Sequence, residues 1–193
     1  MITALVLALP RLVAGLLMTG HGLQKLTGWF DGRGLEGTEA MLTALRVRPA
    51  GWWAIVLAVA ETFGGALMAL GLFEPLGQIA VIAVLMVAIA LVHVPKGLWN
   101  HDGGYEFPLL LAVIAVATAV APIGASVDAA RGIALPGWIV ALAVIGAIVG
   151  VGLALASREE PLHGGLPRGR GQAIEHVRYV RYVGMRRIGR IGR

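Results

Sequence analysis

The sequence contains no cysteine and few charged residues, and both shortages narrow the possible chemistry. Without cysteine, the chain forms no disulfide, no thiolate metal site and no thiol nucleophile. Only 14% of its 193 residues are charged, whereas 58% are hydrophobic. The mean hydropathy of +0.80 lies outside the range of ordinary soluble domains. The composition therefore predicts a membrane protein, in which any chemistry falls to ionisable residues close to or inside the bilayer.

The hydrophobic residues form long blocks that are apolar on all sides, which is typical of membrane-spanning helices. Each block is about long enough to cross a hydrocarbon layer of roughly 30 Å. The predicted spans are 2–23, 52–72, 76–94, 107–123 and 136–156. We interpret the chain as an all-α membrane protein with a four-helix transmembrane bundle, a fifth C-terminal transmembrane helix and a basic tail.

Residues 32–37 read GRGLEG and match the G-x-G-x-x-G spacing of a dinucleotide-binding turn. That spacing binds a nucleotide when a β-strand leads into the turn and a packed helix leaves it. Here the end of a transmembrane helix precedes the glycines, so we do not predict a nucleotide site. The glycines instead indicate a tight turn at the membrane surface, followed by a short helix over 38–45 with Thr38 as its N-cap.

Basic residues are distributed unequally between the predicted loops. Apart from Arg11, which lies within the first span, they fall in the first and third loops and after residue 156, and only Arg131 lies on the other side. The positive-inside rule predicts that these loops and the C-terminus are cytoplasmic, in a multi-pass protein of the inner (plasma) membrane. The tail, 158–193, mixes arginine with scattered apolar residues, which suits contact with anionic membrane lipids and not with nucleic acid.

Two ionisable residues fall deep within predicted spans, where a charge costs at least about 2.5–3.5 kcal/mol. Arg11 lies in the first span and Glu61 in the second. Helical rise places their depths about 8 Å apart, so we expect Glu61 to pair with Arg11 or with a neighbour on the first helix. Gly64 and Gly65 follow Glu61 by about one turn and allow either a neighbouring helix or a flat ligand to approach the backbone.

A second group of polar residues gathers at the predicted cytoplasmic ends of the helices. His21 and Lys25 share one face of the first helix, His93 ends the third, and Glu106 lies beyond the loop that follows. With Glu61 as its floor, this polar mouth has the proton-relaying groups that a quinone site requires. The alternative is that each histidine is an interfacial residue with satisfied hydrogen bonds.

From this pattern we assign catalytic roles to Glu61, His93 and Lys25. We assign quinone contacts to His21, Lys25, Gly64, Gly65, His93 and Glu106. A divalent metal on His93, His101 and Glu106, or a haem between His21 and His93, lacks the spacing that such ligands usually have. We therefore predict no metal site, and quinone is the one cofactor that we expect.

Four segments in order resemble the DoxX family of bacterial membrane proteins. They are HGLQKLTGWFDGRGLEGT at 21–38, AETFGGALMALGLFEPLG at 60–77, HVPKGLWNHDGGYEFPLLL at 93–111 and GASVDAA at 124–130. The resemblance covers about residues 5–130 and implies a bundle of four transmembrane helices. The family takes its name from a thiosulfate:quinone oxidoreductase subunit, which implies a redox role. The positions that match the family pattern are Arg11, Gly22, Lys25, Glu61, Gly64, Gly65, His93, Gly104, Glu106 and Asp128.

Relatives typically end soon after the segment around Asp128, so we divide the chain into three parts. These are a DoxX-like bundle over 1–130, an added helix over 131–157 and a basic tail over 158–193. The added helix contains Gly146-x-x-x-Gly150, a spacing that favours packing against a partner. Relatives with both termini in the cytoplasm imply the opposite orientation to the one that the basic residues predict.

Three functions fit these features. The first is a membrane subunit of a redox or respiratory system that binds quinone and receives electrons from a partner. The alternative is a non-catalytic anchor or assembly subunit of a larger complex. A carrier is the third, but the chain lacks the inverted repeat of alternating-access transporters. Because the sequence offers no redox cofactor site of its own, electron transfer requires other protein subunits.

Overall fold

The computed structural model of the protein describes residues 2–121 and 124–159, and these ranges are almost entirely helical. The α-helices are α1 (Ile2–Leu26), α2 (Gly34–Ala44), α3 (Ala50–Leu70), α4 (Leu76–Ala88), α5 (Glu106–Val120), α6 (Val127–Arg131) and α7 (Gly137–Ala156). A π-helical turn over Ile89–His93 and a 3₁₀ turn over Val94–Lys96 extend α4. The predicted contact of the tail with lipid concerns mainly residues 160–193, which lie outside the described ranges.

Four of these helices are long and apolar enough to cross a membrane. They are α1, α3, α7 and the segment Leu76–Lys96, which joins α4 to its two following turns. The predicted span over 107–123 corresponds to α5, which has 15 residues and is the shorter apolar helix. The prediction of an all-α membrane protein is therefore confirmed.

Helices α1, α3, α4 and α5 form the four-helix bundle, in which α3 packs between α1 and α4, and α5 packs against α4 and α1. Side chains from all four helices meet in one core, among them Met18, Met68, Val81 and Leu111. Helices α1 and α3 are antiparallel, because Gly15 lies against Ala69 and Gly22 against Thr62, and short connections make α3, α4 and α5 antiparallel in turn. We call the end where α1 finishes near Lys25 the lysine end, and the opposite end, where α3 meets α4, the arginine end.

Small residues bring α1 and α3 into close contact. A Cβ atom added at Gly15 would lie 2.5 Å from the Ala69 nitrogen, and one added at Gly65 would lie 2.5 Å from the Thr19 nitrogen. A Cβ atom added at Gly22 would lie equally close to Thr62. This contact is nearer the lysine end, by about two turns of α1 and one turn of α3. This stacking of small residues is the usual means by which membrane helices approach each other, and here it fixes the register of α1 against α3.

The short helix after the first span begins earlier than the sequence predicts. Helix α2 starts at Gly34, with Arg33 as its N-cap residue. The Thr38 hydroxyl donates to the Gly34 carbonyl at 2.9 Å, inside the first turns of α2, so the prediction of Thr38 as N-cap is wrong. Gly28 and Gly34 have φ values of 79° and 63°, as expected for a tight glycine turn. A helix, not a strand, leads into this turn.

Helix α7 packs along α4 and is fastened to the bundle at the lysine end. The Arg48 nitrogen donates to the Ser157 carbonyl, and the Glu159 nitrogen donates to the Arg46 carbonyl, both at 2.9 Å. The Trp53 indole adds a hydrogen bond of 3.1 Å to the Ser157 hydroxyl. Along α7, which is described in full, Ala154 is the one buried residue. We call this group of hydrogen bonds the latch.

Candidate functional site

The lysine end contains an ion pair between a buried carboxylate and a partly exposed lysine. Glu61 is on the face of α3 that points into the bundle, and it is 2% exposed. Lys25, on the last turn of α1, donates from Nζ to Oε1 of Glu61, and its side chain is 26% exposed. Because a buried charge requires a partner, this contact explains how α3 accommodates a glutamate. The second oxygen, Oε2, is buried and has no hydrogen-bond partner among the described residues.

Arg11 does not pair with Glu61, so that alternative is wrong, whereas the other one, a partner elsewhere on the first helix, is confirmed by Lys25. The Nη1 of Arg11 lies 2.7 Å from Oε1 of Glu74 in the loop between α3 and α4, and its Nη2 donates to the Ala125 carbonyl. Contact between Gly22 and Thr62 places Glu61 level with the last turns of α1. Arg11 is about 18 Å from that level at 1.5 Å per residue. The predicted depths of Arg11 and Glu61 are counted from the ends of their helices, as if both ends lay at one level. Helix α3 begins well outside the level of Lys25, so the two counts do not share a starting point.

The arginine end is closed by a buried polar cluster that sequence reasoning only partly identified. Asp128 accepts hydrogen bonds from the backbone nitrogens of Phe73 and Glu74, at 3.0 and 2.7 Å. The Gln78 amide donates to Glu74 at 3.2 Å. Glu74 was not predicted, because a charged residue in a loop is normally solvated. Gln78 lies in the first turn of α4 and carries no charge that would mark it. Their signal was the glutamate of the segment GLFEPLG between two spans.

The other predicted site residues lie at the lysine end, but their hydrogen bonds are local. His93 donates from Nδ1 to the Gly103 carbonyl at 2.7 Å. Glu106 accepts from the Asn100 nitrogen at 3.0 Å, and exposed His21 bonds to Gln24. In the described ranges these residues make no hydrogen bond to Lys25 or Glu61. They share one end of the bundle and do not form one hydrogen-bonded cluster.

Gly64 and Gly65 are both covered by neighbouring helices. A Cβ atom at Gly64 would lie 2.9 Å from the Ala80 side chain of α4, and Gly65 faces α1. The sequence left open whether these glycines admit a neighbouring helix or a flat ligand, and the structure supports close helix packing. A quinone contact at these two glycines stays a prediction. Among the described residues, no three histidine or carboxylate side chains are grouped to hold a metal ion.

A second feature was not predicted from the sequence. An apolar cavity of about 290 Å³ lies between α3, α4 and α7, and its walls contain no charged side chain. Gly146 and Gly150 line the cavity, so the small residues of α7 face the bundle of their own chain. The glycine spacing in the sequence marks a small-residue face but does not show which surface that face meets.

These features define a multi-pass helical membrane protein in which a partly exposed lysine pairs with a buried glutamate. The DoxX family model matches residues 6–94, which include most of α1, all of α2 to α4 and the residues of the Arg11–Glu74 and Lys25–Glu61 pairs. The match confirms the predicted resemblance for the segments at 21–38 and 60–77, and the chain carries a DoxX domain. The resemblance over 95–130 stays a prediction. No curated protein and no solved structure shows significant similarity to the chain.

Proposed function

We propose that the protein is a quinone-binding subunit of a membrane redox system, with Lys25 and Glu61 as its polar centre. The observation that carries this proposal is the Oε2 atom of Glu61, which has no hydrogen-bond partner within residues 2–121 and 124–159 and is buried in the bundle next to a lysine that reaches the surface. A buried oxygen of this kind accepts a hydrogen bond from a ligand hydroxyl at little further desolvation cost.

The chemistry assigned to the pair follows from what quinone reduction requires. A quinone takes up two electrons and two protons to become a quinol, and charge develops on its two oxygens during that process. The Lys25 ammonium binds a quinone oxygen and stabilises the negative charge that develops there. Glu61 exchanges a proton with the same ligand oxygen. The proposal assigns the electrons to the redox centre of a partner protein, because the chain has no cysteine to ligate an iron–sulfur cluster.

His93 and His21 supply the route for protons from water. His93 donates its Nδ1 proton to the Gly103 carbonyl, which leaves Nε2 as the acceptor in the neutral ring. A neutral imidazole both accepts and donates a proton, so the ring takes up a proton from water at Nε2 and passes it to the ligand. Both histidines act here as positioning or relay groups and not as ligands of Glu61.

A non-catalytic anchor or assembly subunit is the second candidate, and one observation favours it. His93 and Glu106 each stabilise the loop over 97–105, and the glycines beside Glu61 are covered by helices. In an anchor, the Lys25–Glu61 pair serves stability alone. The two candidates then differ in whether a quinone reaches the pair.

The test is photolabelling of the full chain in lipid nanodiscs with an azido-benzoquinone that carries an isoprenoid chain. We expect label on the peptides around Lys25 and Glu61, and competition by the unmodified quinone. The double variant Lys25→Met/Glu61→Gln should lose at least about tenfold of this label. The matched control is Arg11→Gln/Glu74→Gln, which removes the same charges at the arginine end and should keep it.

Folding of both double variants is checked by circular dichroism and gel filtration, so that lost label is not mistaken for lost structure. Equal label in the two variants would place the quinone elsewhere. Absence of label at the lysine end of the wild-type chain would favour the anchor, for which co-purifying subunits are the direct evidence.

A further inference from the structure

We propose that an anionic phospholipid binds between α7 and the four-helix bundle. One acyl chain occupies the cavity between α3, α4 and α7, and the phosphate lies against Arg46 and Arg48. This site is separate from the Lys25–Glu61 pair and does not depend on quinone binding.

The shape of the cavity fits a single hydrocarbon chain. Its lining runs from Ala80 to Leu91 along α4 and from Ala143 to Ala154 along α7. At 1.5 Å per residue each wall is about 16 Å long. A volume of about 290 Å³ over that length is a narrow channel and not a compact pocket. Apolar cavities of this kind bind apolar ligands, because no wall group compensates the desolvation of a polar one.

The latch and the small residues of α7 keep this channel wide. A Cβ atom added at Gly146 or Gly150 would meet nothing within 4 Å, in contrast to Gly15 and Gly65 of the bundle. Small residues at a membrane helix interface normally bring backbones into contact. Here the hydrogen bonds at residues 46–48 and 157–159 hold α7 at one end, and around Gly146 and Gly150 a gap separates α7 from the bundle. A hydrocarbon chain in the cavity gives the wall atoms the van der Waals contacts that they lack across the gap.

The charges at the lysine end of the cavity identify the headgroup. Val47 is buried and lines the cavity, and its neighbours Arg46 and Arg48 are both exposed. Arg158 lies beside them, because it is bridged to Val47. The carboxylates at this end are Glu159, which lies 3.9 Å from Arg48, and Glu39, which approaches Gly51. The arginines outnumber these carboxylates, and arginine is well suited to bind phosphate oxygens.

The proposal is tested with the full chain in nanodiscs and a phosphatidylglycerol that carries a diazirine in one acyl chain. We expect cross-links to residues 143–154 of α7 and 80–91 of α4. The variant Gly146→Leu/Gly150→Leu places two side chains in the channel and should lose at least about fivefold of these cross-links. Gly152→Leu is the matched control: Gly152 is exposed on the same helix, does not line the cavity and should keep them.

A second variant controls for the possibility that the leucines in α7 disturb its folding. Ala83→Leu fills the channel from α4 and leaves α7 unchanged, so it should lower the same cross-links. Equal cross-linking in the wild-type chain, in Gly146→Leu/Gly150→Leu and in Ala83→Leu would overturn the proposal.

The headgroup is tested separately. Native mass spectrometry should show one retained phosphatidylglycerol in preference to phosphatidylcholine of identical chains. Arg46→Gln/Arg48→Gln should abolish that preference, whereas Arg33→Gln, an exposed arginine on the N-cap of α2, should not. Equal retention of the two lipids by the wild-type chain, or an isoprenoid quinone as the bound molecule, would contradict an anionic phospholipid.

Discussion

Lys25 donates a hydrogen bond to one carboxylate oxygen of Glu61 across the interface of α1 and α3, and the other oxygen, buried in the bundle, has no hydrogen-bond partner in the part of the chain that the structure describes. The two partners are unequally buried, so their removal should have unequal effects. In Lys25→Met the carboxylate is left buried without a cation, which costs about 3–5 kcal/mol. In Glu61→Gln the partly exposed lysine turns towards water, and the loss should be smaller.

The measurement is thermal unfolding in mild detergent of Lys25→Met, Glu61→Gln and the double variant. The double variant should be more stable than Lys25→Met, because it leaves no unpaired charge. Strictly additive losses would show that the two residues do not interact.

A second prediction concerns the partner of Arg11. The contact of 2.7 Å between Arg11 and Glu74 predicts strong coupling between Arg11→Gln and Glu74→Gln, with an interaction free energy of about 1–3 kcal/mol. Arg11→Gln and Glu61→Gln act at opposite ends, and their effects should add to within about 0.5 kcal/mol. Double-mutant cycles from unfolding free energies distinguish these cases. Coupling of Arg11 to Glu61 but not to Glu74 would contradict the register described above.

The sequence predicts the helices better than it predicts their partners. The hydrophobic blocks end where polar loops begin, so the predicted spans agree with α1, α3, α7 and the segment Leu76–Lys96 to within three residues. The choice of Arg11, Lys25 and Glu61 as important also follows from composition, since lipid excludes unpaired charge. Pairing depends on register, and the register is set by contacts such as that between Gly22 and Thr62. These contacts are not visible in hydropathy or in helix length.

The third prediction tests that register through two glycines of α1. A side chain at Gly22 meets the backbone of Thr62, whereas one at Gly20 meets nothing within 4 Å. Gly22→Ala should therefore destabilise the bundle by about 1–3 kcal/mol through overpacking. Gly20→Ala, the matched control, should be neutral or stabilising by up to about 1 kcal/mol, because alanine favours the helix. Unfolding in detergent measures both, and equal effects would be inconsistent with close contact at Gly22.

The cavity beside α7 could not be read from the sequence for a related reason. Gly146 and Gly150 mark a small-residue face, and such a face serves equally well for a partner chain or for the same chain. The latch decides which surface this face of α7 meets. In the latch the backbone of Arg48 bonds to that of Ser157, and the backbone of Glu159 bonds to that of Arg46. Backbone pairing between segments more than a hundred residues apart leaves no local sequence pattern.

The last prediction concerns the orientation of the bundle in the membrane. The chain has no cysteine, so a single introduced cysteine is its one thiol. Lys25, Lys96 and the exposed arginines of the loop before α3 lie at the lysine end, and at the arginine end Arg11 is paired with Glu74. The positive-inside rule therefore predicts a cytoplasmic lysine end.

Two exposed positions report on this orientation. Asp102→Cys lies at the lysine end, and Ala130→Cys lies at the arginine end, in α6. A membrane-impermeant maleimide added to intact cells should label Ala130→Cys at least about tenfold more than Asp102→Cys, because the bilayer excludes the charged reagent from the cytoplasmic side. Permeabilised cells are the control, since both thiols are then accessible and should label equally. The reverse pattern in intact cells would place the lysine end outside, as the orientation implied by the DoxX resemblance requires, and would show that other features override the basic residues of this chain.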